Sequence, residues 1–328
     1  MISQIHNFIT SLKYQKKEYG ILQYSKSPIL SENDLVNLIK ESQFTIENGN
    51  FHLGGTGLGV NIAVIDTGVD PFHHELKNVI PLNFTKEDFK SEMPPYYDNQ
   101  GHGTFVISLL NGQNRIPGIV KNSLIYSMKV INYSSPSLHQ LENNIVKAIN
   151  QAIQYNCKII TISIGMPHKS ILLEKAINNA VSKGTLVFSA SGNEGIYGSK
   201  YKSYPASFEN VISVASADKR GLPSWFSTQG LGRNPLTQPE AAIASLNYHL
   251  GAIPKGQYAK MFGTSFACPI LAGIGAKWIE ANIFRPKSDS RSLVEFRKWM
   301  KENSVDSNNN GWDNSLGYGV IKLNKNSF

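Results

Sequence analysis

The chain has 328 residues, of which 41% are hydrophobic, enough to bury the core of one large domain. No apolar run reaches the roughly 20 residues that a membrane helix needs, so we expect no membrane span. The net charge of +8 comes from scattered lysines and arginines rather than a basic stripe, which argues against a nucleic-acid partner. Two interpretations of that charge stay open: a basic surface with no particular role, and attraction of acidic peptides.

The N-terminus and the cysteines favour a cytoplasmic location. The first ten residues lack both a continuous apolar core and a small-residue cleavage site, so they do not resemble a signal peptide. Two cysteines, Cys157 and Cys268, are too few for a typical secreted disulfide framework. We interpret both as packed thiols, with a redox or metal-binding role as the alternative.

Strand-like and helical patterns alternate along most of the chain. Residues 1–50 contain one capped helical pattern and are predicted to be an N-terminal extension or arm, with a short inhibitory segment as the alternative; the folded domain is predicted at 51–328. The predicted strands are 60–65, 124–131, 158–164, 185–190 and 211–217. Helices are predicted behind a capping Ser137 and from Ile171 to Lys183. This alternation predicts an α/β fold with a mostly parallel sheet, helices on both faces and a ligand crevice at the carboxyl ends of the strands.

Three short motifs place an aspartate, a histidine and a serine in that order along the chain. They are VIDTG, GHGT and GTSFA, and they contain Asp66, His102 and Ser265. A serine hydroxyl is a weak nucleophile, so acyl transfer needs a histidine to take its proton and a carboxylate to orient that histidine. Asp66 ends a predicted strand, and the other two residues each begin a predicted helix. We therefore expect all three at one edge of the sheet.

Together with SASGNEG at 189–195, these motifs resemble the subtilisin-like serine peptidases, or subtilases, over about 58–323. The resemblance implies a three-layer αβα fold and peptide hydrolysis through an acyl-enzyme. It implies that Ser265 is the nucleophile, that His102 acts as base and then acid, and that Asp66 orients His102. It also implies that Asn193 donates its amide to the oxyanion, beside the backbone N–H of Ser265.

The same resemblance implies that an extended peptide substrate binds by strand addition. The implied substrate-binding residues are Ser135, Pro136, Ser137, Leu138, Ser163, Ile164, Gly165, Met166, Ser191, Gly192, Glu194 and Ser203. Pro136 stands where family members often have glycine, so the substrate-pairing strand is expected to be stiffer and to lack one donor. Two roles stay open for Glu194: selection of a basic or polar P1 residue, and a solvated carboxylate without such a role.

No cofactor is expected, and the tight calcium site of the family is predicted to be absent. The segment 110–118 is a few residues shorter than the family's calcium loop, and Glu75 replaces the usual aspartate ligand. Arg115 would also oppose a cation. Weaker calcium binding stays open.

Three functions remain in view. The favoured one is an intracellular serine endopeptidase that removes leader peptides from bacteriocin precursors of the lantibiotic type. The absence of a family-sized pro-domain, the modest size, the basic balance and Pro136 favour it. The second is a general degradative protease of the cell interior. The third, a catalytically idle peptide-binding protein, is disfavoured because the three motifs and Asn193 are all present.

Overall fold

The computed structural model describes residues 55–85, 93–132, 137–195, 202–230, 239–244, 248–282, 290–306 and 311–321. Its strands are β1 (Asn61–Asp66), β2 (Val79–Asn83), β3 (Leu124–Lys129), β4 (Ile159–Ile162), β5 (Leu186–Ala190), β6 (Ile212–Ala217), β7 (Ala241–Ala244), β8 (His249–Ile253), β9 (Gln257–Met261), β10 (Ser304–Val305) and β11 (Val320–Ile321). Its helices are α1 (His102–Asn111), α2 (Leu138–Gln154), α3 (Ile171–Ser182), α4 (Thr264–Ala281) and α5 (Arg291–Glu302).

A nine-stranded sheet forms the centre of the described region, in the spatial order β10-β11-β7-β6-β5-β4-β1-β3-β2. Every pairing in it is parallel except that between β10 and β11. Strands β4, β5 and β6 are buried along their whole length, as expected for parallel strands covered on both faces. The predicted mostly parallel sheet is thereby confirmed.

Helices cover this sheet in two packed pairs. Helix α4 lies against β4, β5, β6 and β7 and packs on α1, whereas α2 and α3 pack on each other and contact β1 and β5 respectively. Phe296 of α5 joins the α4 side by edge-on contacts with Phe188 and Trp278. The result is the predicted three-layer αβα arrangement around one main apolar core.

The predicted elements agree with the observed ones except near their ends. The predicted strand 124–131 stops at Lys129, and helix α3 ends one residue early because Gly184, at φ +81°, turns the chain away as a glycine can. Strand β2, strands β7 to β11 and helix α5 are not among the predicted elements. Residues 1–50 lie outside the described residues, so the boundary at 50/51 stays a prediction.

A two-stranded antiparallel hairpin, β8–β9, packs on helix α1. Gly251 lets the two come together, because a Cβ there would lie 2.7 Å from the ring of Phe105. The N–H of Ala252 donates to Ser108 Oγ at 2.9 Å. No helix in the described ranges is both long and apolar enough to cross a bilayer.

Candidate active site

The three motif residues lie where the parallel strands end and two helices begin. Asp66 is the last residue of β1, His102 is the first of α1, and Ser265 is the second of α4. Ser163 directly follows β4, and Asn193 follows β5 by three residues. Because these strands are parallel neighbours, their carboxyl ends meet at one edge of the sheet.

Asp66 and His102 form a short buried hydrogen bond. His102 Nδ1 lies 2.6 Å from Asp66 Oδ1, and the two residues are 4% and 1% exposed. The N–H of Thr67 donates to the same oxygen at 2.8 Å. With Nδ1 held by the carboxylate, proton exchange with a substrate would use Nε2.

The surroundings of His102 favour its charged form. Burial alone would lower its pKa, but the charge of Asp66, the hydrogen bond to it and the charge of Asp98 outweigh that effect. The pKa of His102 therefore lies above its ordinary value. A histidine held in this way is suited to store a proton during a reaction.

A second buried carboxylate, Asp98, organises the start of α1 and is absent from the predicted site. Its Oδ1 accepts the hydroxyl of Thr67 at 2.9 Å and the N–H of Gly101 at 2.8 Å. Its Oδ2 accepts the N–H and hydroxyl of Thr104 at 2.8 and 2.7 Å. Asp98 thus fastens the helix of His102 to the end of β1. Asp98 stands three residues before Gly101, the N-cap residue of α1, so the standard capping rule does not mark it in the sequence.

Lys129, buried at the end of β3, carries a positive charge that interacts with Asp98. Its Nζ donates to the carbonyl of Tyr97. Burial lowers the pKa of Lys129, and the charge of Asp98 acts in the opposite direction. The two opposite charges thereby stabilise each other in a buried environment.

Ser265 lies against the end of β4. Its Oγ is 3.5 Å from the carbonyl of Ser163, a weak contact, and Ser163 Oγ donates to the carbonyl of Ser265 at 2.9 Å. The next residue, Phe266, is buried with its ring centroid 5.4 Å from that of His102. The start of α4 therefore lies beside the imidazole.

Asn193 is held with its amide nitrogen available as a donor. Its Oδ1 accepts the N–H of Thr264 at 2.9 Å and the Thr264 hydroxyl at 3.1 Å. Since a backbone N–H can only donate, this contact fixes which end of the amide is oxygen. Gly263 has φ +145°, and a Cβ there would lie 3.2 Å from Asn193 Nδ2. Glycine at this position leaves space in front of the amide.

Four of the predicted substrate-binding residues lie together beside β4. Met166 exchanges two backbone hydrogen bonds with Tyr204, at 2.7 and 2.8 Å. A Cβ on Gly165 would lie 2.4 Å from Ser203 Oγ, so these two segments touch. Ile164 is buried, and its side chain is part of the main apolar core.

Glu194 is tied to Thr228, a residue absent from the predicted site. The Thr228 hydroxyl donates to Glu194 Oε2 at 2.8 Å, and the N–H of Glu194 donates to Thr228 Oγ1 at 3.0 Å. The N–H of Thr228 also donates to the carbonyl of Gly192 at 3.0 Å. Ser191 beside it is fully buried. The carboxylate of Glu194 is therefore anchored, and no sequence motif pointed to its partner.

The second predicted substrate segment is only partly described. Ser135 and Pro136 lie outside the described residues. Ser137 caps α2, its Oγ accepting the N–H of Gln140 at 3.2 Å, and Leu138 is the first helical residue. The predicted cap is confirmed, and a role in binding substrate stays a prediction.

Cys268 lies one turn after Ser265 and is a packed thiol. Its Sγ is 3.3 Å from Thr161 Oγ1, and it is fully buried. Burial raises its pKa to about 12, so it is protonated at neutral pH. Within the described ranges, no cluster of three or more His, Cys, Asp or Glu side chains is placed to hold a metal ion.

Solved structures similar to this chain include two proteases. The prenylagaramide maturation protease PagA has a TM-score of 0.65 and 25% identity, over 83% of this chain and 93% of that one. The epidermin leader peptide processing serine protease EpiP from Staphylococcus aureus has a TM-score of 0.71 over 90% of this chain and 81% of that one. At 22% identity, the second likeness shows the fold alone.

Sequence comparisons place the chain among peptidases. Subtilisin from Bacillus pumilus is 33% identical over 227 residues, covering 68% of this chain and 78% of that protein. The alkaline protease of Alkalihalobacillus alcalophilus is 32% identical over 272 residues, covering 82% of this chain but only 64% of that protein. The family model described as "Subtilase family" matches residues 57–319. This chain therefore belongs to the subtilases, the subtilisin-like serine peptidases.

Proposed function

We propose that Asp66, His102 and Ser265 form the catalytic triad of a serine endopeptidase. The observation that carries this proposal is the buried 2.6 Å contact between His102 Nδ1 and Asp66 Oδ1, at the sheet edge where Ser265 lies in the first turn of α4. A carboxylate fixed on Nδ1 selects the tautomer in which Nε2 can accept a proton. Such an orientation has no evident use in a protein that only binds peptides.

In the proposed reaction, Ser265 Oγ attacks the scissile carbonyl while His102 Nε2 takes the hydroxyl proton. Asn193 Nδ2 and the N–H of Ser265 at the start of α4 donate to the oxyanion of the tetrahedral intermediate. His102 then gives its proton to the leaving amine, which leaves the acyl group on Ser265. A water molecule, deprotonated by His102, hydrolyses this ester and restores the free serine.

The proposed substrate is an extended peptide, and the proposed task is removal of a leader from a precursor peptide. The likeness to the prenylagaramide maturation protease PagA supports a processing role. The net charge of +8 supports acidic substrates through faster encounter. We place the reaction in the cytoplasm, because Cys157 and Cys268 are both buried and unlinked, as is usual where thiols stay reduced.

The test is a digest of a diverse peptide pool, read by mass spectrometry. The wild-type protein is compared with Ser265→Ala and with Ser182→Ala, a matched change on the outer surface of α3. We expect cleavage that Ser265→Ala abolishes and Ser182→Ala preserves. Products sharing one narrow motif would support processing, and broad cleavage would instead establish a degradative protease. Absence of Ser265-dependent cleavage would refute the enzymatic proposal.

A further inference from the structure

The locus of the family's tight calcium site has hydrogen-bond donors where a cation would need oxygens. Ca²⁺ takes six to eight oxygen ligands. Here three successive backbone N–H groups point at the carboxylate of Glu75. Those of Asn114 and Ile116 donate to Oε2 at 2.9 and 3.2 Å, and that of Arg115 donates to Oε1 at 2.8 Å. A cation between these groups would face their positive ends, so the residues do not fit calcium.

A side chain from the distant hairpin completes the set of donors. The hydroxyl of Tyr258, in β9, donates to Glu75 Oε1 at 2.7 Å. Each carboxylate oxygen thus accepts two hydrogen bonds, and Glu75 is fully buried. The guanidinium of Arg115 lies 5.7 Å from the centre of the Tyr258 ring and adds positive charge.

The electrostatics agree with this geometry. Burial alone would raise the pKa of the Glu75 carboxyl, but the hydrogen bonds from Tyr258 and from the three N–H groups outweigh it and lower that pKa. Glu75 is therefore ionised at neutral pH, and its four hydrogen bonds stabilise the negative charge. These four hydrogen bonds occupy the roughly four lone-pair sites of the carboxylate, so none is left to bind a cation.

Further contacts fasten the same loop on both sides of Glu75. The N–H of Gln113 donates to the carbonyl of Glu75 at 2.9 Å, and Asn114 Nδ2 donates to the carbonyl of His74 at 2.7 Å. The loop closes on itself through the N–H of Gly118 and the carbonyl of Gly112, at 3.0 Å. It follows α1 directly, and the hairpin that carries Tyr258 packs on the same helix.

We propose that the carboxylate of Glu75, with the hydroxyl of Tyr258, performs here the structural task of the family's tight calcium ion. It fastens the loop 112–118 and the hairpin β8–β9 to the segment that follows β1. A negative ion bound by N–H groups replaces a positive ion bound by oxygens. The stability of the protein is accordingly independent of calcium.

The first test uses the unchanged full-length protein. Thermal unfolding is measured after treatment with EDTA, and again with millimolar Ca²⁺ added back. The proposal requires the same Tm in both conditions. A Tm that falls in EDTA and recovers with Ca²⁺ would overturn it, because the clamp would then depend on metal.

The second test removes the clamp. Glu75→Gln keeps the shape but turns an NH₂ group toward N–H donors, so we expect Tm to fall by roughly 5 °C or more. Tyr258→Phe removes one donor and should lower Tm by a smaller amount. Glu142→Gln makes the same chemical change on the partly exposed side of α2, where Ser170 donates to the carboxylate, and should change Tm little.

Hydrogen exchange localises the effect and separates a clamp from general destabilisation. In either clamp variant, the amides of Asn114, Arg115 and Ile116 should exchange faster, while those of β4 to β6 keep their protection. Tyr258→Phe provides this measurement even if Glu75→Gln does not fold. Unchanged exchange at all three amides in Tyr258→Phe, or an unchanged Tm in Glu75→Gln, would overturn the proposal.

Discussion

The two halves of the candidate site are built differently. In the acid–base half, Asp66, His102 and Asp98 are all less than 5% exposed, and short hydrogen bonds join them to the backbone around β1 and α1. In the nucleophile half, Ser265 is only partly buried and its hydroxyl makes one long contact, with the Ser163 carbonyl at 3.5 Å. Charge is concentrated in the first half, and neutral groups form the second.

This difference suggests a division of labour. A buried pair held by short hydrogen bonds can keep its geometry and its proton affinity whatever the substrate does. A weakly held hydroxyl can leave its resting contact and approach a carbonyl at little cost. Changes in the acid–base half should therefore alter the rate and its pH dependence, and changes in the nucleophile half should alter the stabilisation of the transition state.

The largest effect is expected from a change at Asp66, in the centre of the acid–base half. Asp66→Asn would present an NH₂ group or a neutral oxygen to His102 Nδ1 and favour the wrong tautomer. We expect kcat to fall by about 10⁴-fold, the magnitude found for this change in chymotrypsin-like proteases. Steady-state hydrolysis of a peptide substrate measures it. Added to Ser265→Ala, the same change should lower kcat no further, because a triad acts as a unit. A further large loss of kcat would show that Asp66 and Ser265 act independently.

A smaller loss of activity is expected from a change in the nucleophile half. Asn193→Ala removes the proposed oxyanion donor, so kcat should fall by about 10²- to 10³-fold with KM nearly unchanged, a magnitude known from subtilisin itself. Separate measurement of kcat and KM tests this. Asn178→Ala, at an exposed asparagine of α3 whose Oδ1 accepts from Asn210 Nδ2, is the matched control. A rise in KM at constant kcat would show that Asn193 binds the ground state instead.

The pH dependence tests whether Asp98 acts through His102. Because the raised pKa of His102 must be exceeded for it to act as a base, kcat/KM should rise with pH through a midpoint above 6.5. Asp98→Asn removes one of the charges that raise this pKa, so the midpoint should move to lower pH. A full pH profile of kcat/KM measures the shift. A loss of activity at an unchanged midpoint would mean that Asp98 serves only the fold.

The smallest effect is expected at Glu194. Glu194→Gln keeps an oxygen for the Thr228 hydroxyl, so the stability of the protein should change little. For substrates with an apolar P1 residue, kcat/KM should change by less than about threefold. If this carboxylate selects basic P1 residues, kcat/KM for those substrates alone should fall by about tenfold. Paired peptides differing only at P1 separate the two roles, and equal effects on both peptides would remove Glu194 from specificity.

The sequence was most informative where short local signals determine structure. Asp66, His102, Asn193 and Ser265 lie at the expected strand ends and helix starts because apolar strand runs and flanking glycines mark those turns. The cap at Ser137 was readable for the same reason, since a capping box spans only four residues.

Contacts between distant segments could not be predicted in this way. Thr228 meets Glu194 across 34 positions, and Tyr258 meets Glu75 across 183. A single hydroxyl residue forms no periodic sequence pattern, so the sequence of one segment does not indicate its partner in the other. Asp98 is an intermediate case: its contacts with Gly101 and Thr104 span three and six positions, whereas its bond to Thr67 spans 31.

The two buried cysteines make the molecule its own unfolding reporter. Cys157 lies just before β4 and Cys268 lies inside α4, at 1% and 0% exposure, and burial raises the pKa of each thiol to about 12. A thiol reagent can therefore react only when the chain opens around them. The rate of labelling at each cysteine would time the opening of the sheet and of the serine-bearing helix separately, with no probe added to the protein.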